Sequence, residues 1–352
     1  MLDALSHFPR WLKVALVFPL IFLNAWILYL LGSYFEPLVS IVVTASLLAF
    51  LLDFPIRGLQ DRKISRILAI TLVLGSALLV FGLLVFILVP LIVEQLGELV
   101  NSLPKWLESG TQQLQNLEKW AIAQQLPFDI QDSLAEVTTK LTNLIQSLSS
   151  RLLNFILGTI GSLANVLFVL VLTVFLVLSG EEVWDGIFSW LPDPWDNYFR
   201  DSIQNTFENY FASQAILAGI LSLAQTFVFG ILNVPYAVLF GVTIGLTTLI
   251  PYASALTITI ISALLILKDF WLGLKVLTAA IIVGQINDNV IAPRLVGGMI
   301  GLNPVWIILS LLVGGKLAGV LGLLIAIPLA SVIKNAADVL RTKYTTKVEE
   351  VA

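Results

Sequence analysis

The chain has 352 residues, 58% of them hydrophobic and only 12% charged, against roughly 45–50% and about 25% in an ordinary soluble domain. A water-soluble fold cannot hide that much apolar surface, and a net charge of −4, with its charged residues set between apolar blocks, leaves no nucleic-acid footprint. Cysteine is absent and the one histidine is His7, which excludes disulfides, thiolate nucleophiles and cysteine-based zinc sites and nearly excludes histidine chemistry; no cofactor is expected.

The stretches Ile67 to Val93, Leu152 to Leu178 and Ala212 to Leu267 hold no Asp, Glu, Lys or Arg. A membrane crossing needs about 20 apolar residues, so the expected fold is an all-α, polytopic integral membrane protein of about eight spans, near 11–31, 35–52, 66–93, 152–178, 211–232, 236–267, 271–291 and 303–334. The first of these lacks a small-residue cleavage site before the next apolar run and is read as a retained helix. Arg57, Arg62, Lys63 and Arg66 crowd the second loop, and Lys334, Arg341, Lys343 and Lys347 follow the last span. By the positive-inside rule both termini are expected in the cytoplasm.

Six regions are expected: N-terminal spans over 1–93, an extracytoplasmic amphipathic insert over 94–151, a fourth span over 152–178, a cytoplasmic interfacial segment over 179–210, C-terminal spans over 211–335 and a cytoplasmic tail over 336–352. In the insert, Leu134, Val137, Leu141, Leu144, Leu148 and Leu152 recur at helical spacing, as do Leu96, Leu99, Leu103 and Leu107, which run close to Pro104. Helices packing on one another above the membrane, or an oligomer contact or lid, both fit these stripes, and a homo-oligomer is expected. In the interfacial segment Trp184, Trp190 and Trp195 suit the headgroup level of a bilayer.

Spans 236–267 and 303–334 would each reach about 48 Å as straight helices, against a hydrocarbon core of roughly 30 Å, so they must tilt, bend or break. The first carries Pro251 in Leu249-Ile250-Pro251-Tyr252-Ala253, where the missing amide should leave the Thr247 carbonyl without its usual partner. The second carries Gly314, Gly315, Gly319, Gly322 and Pro328. Interrupted helices in a membrane line a cavity or are satisfied by protein, and in many transporters the cavity is the substrate site; close helix packing is the competing reading. Gln285, Asp288 and Asn289 share one helical face, and Lys316 stands alone among apolar residues. Charges at membrane depth cost about 2.5–3.5 kcal/mol on insertion scales, so a pathway role for Asp288 and Lys316 competes with anchoring at an interface, with Lys316 or Arg294 as a partner for Asp288.

The blocks Ile250-Pro251-Tyr252, Gln285-Ile286-Asn287-Asp288-Asn289-Val290-Ile291-Ala292-Pro293-Arg294, Leu302-Asn303-Pro304, Gly314-Gly315-Lys316-Leu317-Ala318-Gly319-Val320-Leu321-Gly322 and Ala326-Ile327-Pro328 resemble, in order and spacing, the autoinducer-2 exporter family of PerM-like permeases. Ser254 and Ala255 stand where that family usually has a glycine after the Pro-Tyr pair, and Asn303 where it often has histidine. The resemblance covers nearly the whole chain. It implies a multi-pass transporter or channel of the bacterial inner membrane, with relatives assigned to autoinducer-2 export and others to sodium or lithium exchange for protons. The expected function is export of a small hydrophilic solute; cation/proton antiport and a channel-like or structural role are the alternatives. The pathway candidates are Pro251, Tyr252, Gln285, Asp288, Asn289, Pro293, Arg294, Gly314, Gly315, Lys316, Gly319 and Pro328. The lipid bilayer and a small-molecule or ion substrate are the expected partners. The sequence has no HExxH motif, no Walker loop and no second intramembrane aspartate to pair with Asp288, so an enzyme is not expected.

Overall fold

The computed structural model of the protein describes residues 10–124, 163–190, 195–296 and 302–349, with isolated residues between 139 and 154. The leucine stripe from Leu134 to Leu152 lies outside the described residues. Every regular element among the described residues is helical: α1 (Arg10–Tyr34), α2 (Glu36–Gln60), α3 (Arg66–Ala123), α4 (Leu163–Phe188), α5 (Trp195–Ile231), α6 (Ala237–Thr247), α7 (Ala253–Lys268), α8 (Phe270–Ile286), a π-helical turn (Asn287–Ile291), α9 (Ala292–Val296) and α10 (Pro304–Glu349). The protein is an all-α polytopic membrane protein. By length and apolar composition five described helices can cross a membrane, or six when the two arms of α4, bent by 76° near Ser179, count as one crossing.

Among the described residues two apolar cores organise the bundle. The smaller joins Ile56 of α2, Ala69, Ile70 and Val73 of α3 and Val177 of α4. The larger gathers Leu96, Leu99, Leu103 and Trp106 of α3 with Leu221 and Phe229 of α5 and the inner faces of α6, α7 and α8. A single helix links them, because α3 runs unbroken for 58 residues, about 87 Å, through both Pro90 and Pro104. The third span was expected to end at residue 93, but Glu94, Gln95 and Leu96 are good helix formers and nothing stops the turn there. The leucines of its polar extension pack on α5 to α8.

Helix α5 is the hub, packed against α2, α4, α6, α8, α9 and α10. The directions of its neighbours follow from three close approaches. A side chain at Gly241 would strike Thr226, and one at Gly245 would strike Ser222 and Ala218, so α6 runs antiparallel to α5. Gln225 donates to the Ala280 carbonyl at 3.0 Å and Ser213 to the Leu295 carbonyl at 3.1 Å, so the α8–α9 arm is also antiparallel to α5. Gly273 lies against Ile266 and Gly284 against Ile258, which makes α7 antiparallel to α8. Helices α6 and α7 therefore run in opposite directions. Both outer ends of the pair meet α3 at Trp106, which stacks on Tyr236 at 6.0 Å and holds the Lys268 ammonium 5.8 Å from its ring centre.

The expected sixth span is thus a helical hairpin of 11- and 16-residue helices, each too short to cross a membrane alone. Helix α10, one of the five that qualify by length and composition, doubles back as well and so is two arms and not one straight crossing. Ala318 and Gly319 leave helical geometry, and a Cβ at Gly314 would lie 2.4 Å from the Gly322 carbonyl oxygen, although eight residues of straight helix would separate the two by about 12 Å.

Candidate functional site

The tip of the α6–α7 hairpin is a tight turn built by Pro251. Ala253 N–H donates to the Ile250 carbonyl at 3.1 Å, closing a four-residue turn with proline in its second place. Tyr252 takes φ 68° and ψ −11° in the third, the geometry of a type II turn that ordinarily asks for glycine. The Thr247 carbonyl, expected to lack a partner, accepts from Ile250 N–H at 3.1 Å. Proline therefore stops one helix and starts the next without stranding the backbone. Tyr252 is 60% exposed.

The polar turn after α8 lies level with this tip. Gly284 sits beside Ile258, and antiparallel neighbours advance oppositely, so Asp288 is level with the first residues of α7. An extra residue per turn here, the π-helical stretch Asn287–Ile291, rotates the polar side chains off a regular helical face. Asn289 Nδ2 donates to Gln285 Oε1 at 2.7 Å and to the Gln285 carbonyl at 3.0 Å. Asn287 turns inward, 2% exposed, donating Nδ2–H to Asp288 Oδ1 at 3.1 Å. Its Oδ1, like Gln225 Oε1 on α5 and Ser262 Oγ on α7, is buried with no hydrogen-bond partner among the described residues. Asp288 lies within the candidate span Phe270–Leu295. Among the described residues no lysine or arginine stands within ion-pair distance of it, so neither Lys316 nor Arg294 is its partner.

The second interruption is positioned by a helix start that its sequence spells out. Asn303 Oδ1 accepts from Val305 N–H at 3.0 Å, and Pro304 opens the helix, a cap followed by a proline that needs no amide there. Beyond the break, Ala326, Ile327 and Pro328 are buried, and α10 packs on α5 and α2. Lys316 and Gly319 are exposed.

At the end of the bundle that bears the basic loop, α2, α3, α4 and α5 enclose a cavity of about 350 Å³. In its wall Arg57 Nε–H donates to Asp53 Oδ2, one turn away on α2, at 2.8 Å, and Gln204 of α5 donates to the same oxygen at 3.3 Å. Glu208 of α5, 6% exposed, brings Oε2 to 3.5 Å from Arg57 Nη1. One guanidinium thus joins carboxylates of two helices and fastens α2 to the hub.

The sequence matches the AI-2E family transporter over residues 16–342. The chain belongs to that family. Two proteins of Synechocystis sp. with transport-protein names resemble it along their length. One, sll0060, is 35% identical over 93% of this chain and 95% of its own. The other, sll0063, is 36% identical over 97% and 87%. The AI-2 transport protein TqsA of Escherichia coli is 25% identical over 84% of each chain.

As a member of the AI-2E family the protein is a multi-pass membrane transporter. Of the twelve residues singled out in the sequence, the fold brings Pro251 and Tyr252 level with Gln285, Asp288 and Asn289. Pro293 and Arg294 are exposed on α9, and Gly314, Gly315, Lys316, Gly319 and Pro328 belong to the α10 hairpin, which meets the rest through α5 and α2. Sequence reasoning passed over Asn287, because regular helical spacing links 285, 288 and 289 and the π turn shifts that register. It passed over Gln225, although a glutamine in mid-helix inside the uncharged stretch Ala212 to Leu267 was a visible signal. The Asp53–Arg57–Glu208 network was hidden for another reason: Arg57 read as a loop charge, and only the fold sets it beside Glu208.

Proposed function

We propose that the protein exports a small hydrophilic solute, of the autoinducer-2 kind, across the bacterial inner membrane. The pathway in this reading passes the tip of the α6–α7 hairpin and the polar turn Gln285–Asn289, with the α10 break contributing from the other side of the hub. The carrying observation is the re-entrant hairpin whose non-helical tip lies level with a carboxylate inside a candidate span. Irregular backbone and charge at membrane depth persist where a watery cavity or protein satisfies them, and re-entrant half-helices mark substrate sites in many transporters. The name of the TqsA relative supports the solute class. Both termini in the cytoplasm, from the basic second loop and tail, and a homo-oligomeric assembly belong to the same proposal.

Cation/proton exchange is a second reading, favoured by Asp288 beside the unpartnered Asn287 Oδ1, two acceptors suited to a monovalent cation. Flux in proteoliposomes separates them. Solute export predicts saturable movement of autoinducer-2 or a similar polyhydroxy solute, and loss of about tenfold in rate, roughly 1.4 kcal/mol, in Asp288→Asn. Sodium- or lithium-dependent proton movement without any organic solute, abolished in the same variant, would replace export by exchange. Normal flux in Asp288→Asn at normal abundance would remove the polar turn from the pathway.

A further inference from the structure

The cavity between α2, α3, α4 and α5 has a lining unlike that of the polar turn. Among the described residues three guanidinium groups, Arg57 of α2, Arg66 of α3 and Arg200 of α5, line it with one carboxylate, Asp53. Arg57 is held by Asp53 of the lining and by buried Glu208 behind it, Arg200 by Asp185, which accepts from its Nη1, and Arg66 is engaged as well. A guanidinium carries five N–H donors. Arg57 commits Nε to Asp53 and turns Nη1 to Glu208, and Arg200 commits Nη1 to Asp185, so both keep donors for a further acceptor. Arginines already oriented by carboxylates lose little freedom on engaging an oxyanion, and forked donors suit phosphate geometry.

The opposite wall is apolar and aromatic. The 76° bend of α4 brings Trp184 to 5.9 Å from Phe50, and both rings line the cavity. Its volume, about 350 Å³, lies at the lower end of the range for small-ligand sites, about 300–1,000 Å³. Two of its lining residues, Gln60 and Arg66, flank the basic loop that carries Arg62 and Lys63, and basic loops of this kind attract the anionic headgroups of the cytoplasmic leaflet.

We propose that this cavity binds a phosphate-type anion between Arg57, Arg66 and Arg200, with any attached alkyl or ring portion against Phe50 and Trp184. Arginines from three helices suit the several oxygens of a phosphate better than the two of a carboxylate. Bound there, the anion bridges α2, α3 and α5 and reinforces the Asp53–Arg57–Glu208 staple. Two sources present this chemistry, a phospholipid headgroup and free phosphate.

The full-length protein is tested with two probes: phosphatidylglycerol titrated against phosphatidylcholine in nanodiscs, scored by native mass spectrometry, and radiolabelled inorganic phosphate in detergent, scored by saturable retention. The expected result is one site per chain for at least one probe. Arg66→Gln and Arg200→Gln should each weaken it at least tenfold, and Arg62→Gln, outside the lining, should leave it unchanged. Ala49→Phe, which fills the cavity without altering charge, should weaken binding in the same way and keeps the test informative if an arginine variant fails to fold. Retention of phosphatidylglycerol alone assigns the site to a lipid headgroup; retention of inorganic phosphate assigns it to a soluble anion. Absence of saturable binding to both probes, equal loss in Arg62→Gln, or full binding in Ala49→Phe overturns the proposal.

Discussion

At the scale of single residues, the four glycines in the last span have two different jobs. Gly319 has φ 55° and ψ −133°, and a Cβ added there would meet nothing within 4 Å, so its requirement is conformational. A side chain rarely tolerates that backbone, and the strain is about 1–3 kcal/mol. Gly314 and Gly322 face each other's carbonyl oxygens, and Gly315 sits against Leu323; theirs is a requirement of space. Gly319→Ala should therefore lower the thermal unfolding midpoint in detergent through strain alone. Gly82→Ala, on the open face of α3 where a Cβ also meets nothing, should hold or raise it, because alanine is the better helix former. Equal midpoints for the two variants would mean that the chain at 319 can relax to ordinary helix. The sequence pointed to a break in this run, but composition alone does not say which glycine bends and which makes room.

At the scale of elements, the difference between a kink and a reversal decides what the last span is. Excess length shows that an apolar run of this kind cannot stand straight, but bending, tilting and doubling back all relieve the same excess, so length cannot choose among them. The neighbours choose: Gly314 against Gly322 and Gly315 against Leu323 demand two arms side by side. The native chain has no cysteine, so a double variant, Gly315→Cys with Leu323→Cys, reports this contact on a clean background. A Cβ at 315 would lie 3.3 Å from Leu323 Cγ, within reach of a disulfide once small rearrangements bring the Cβ atoms to about 3.5–4.5 Å. Mild oxidant in native membranes should close the bond, visible as protection of both thiols from maleimide. In a continuous helix the same residues stand about 12 Å apart, and both thiols would stay reactive. The same reasoning explains the polar turn: the three-and-four spacing of Gln285, Asp288 and Asn289 was legible, but the π turn that puts Asn287 inside arises from packing on α5, which a single helix pattern does not contain.

At the scale of the whole molecule, two reversals cancel. Replacing two of the eight expected spans by hairpins that enter and leave on one side keeps the number of crossings even, so the sidedness of the termini does not separate the two topologies. The link between α7 and α8 does. If residues 236–267 crossed once, the Asp269 turn would share a side with the basic loop around Arg62. The chain instead enters as α6 and returns as α7, both outer ends meeting Trp106, and the turn then lies across the membrane from that loop. The arrangement also puts Arg294, at the far end of the α8–α9 arm and near Ser213 of α5 through the Leu295 carbonyl, toward the basic-loop end, where the positive-inside rule favours arginine. Single cysteines at Phe270, which is 49% exposed, and at Arg62, also exposed, test this directly in a protein with no native thiol to interfere. A membrane-impermeant maleimide applied to intact cells, then to inverted vesicles, should label Phe270→Cys from the side opposite to Arg62→Cys. Leaving the Asp269 side chain intact preserves the cap it gives α8 by accepting from Leu272 N–H at 2.7 Å, so a changed labelling pattern reports topology and not a damaged helix start. Labelling of both positions from one side would restore a single crossing over 236–267, and with it would fall the tip of the hairpin as a place where a solute could meet Asp288.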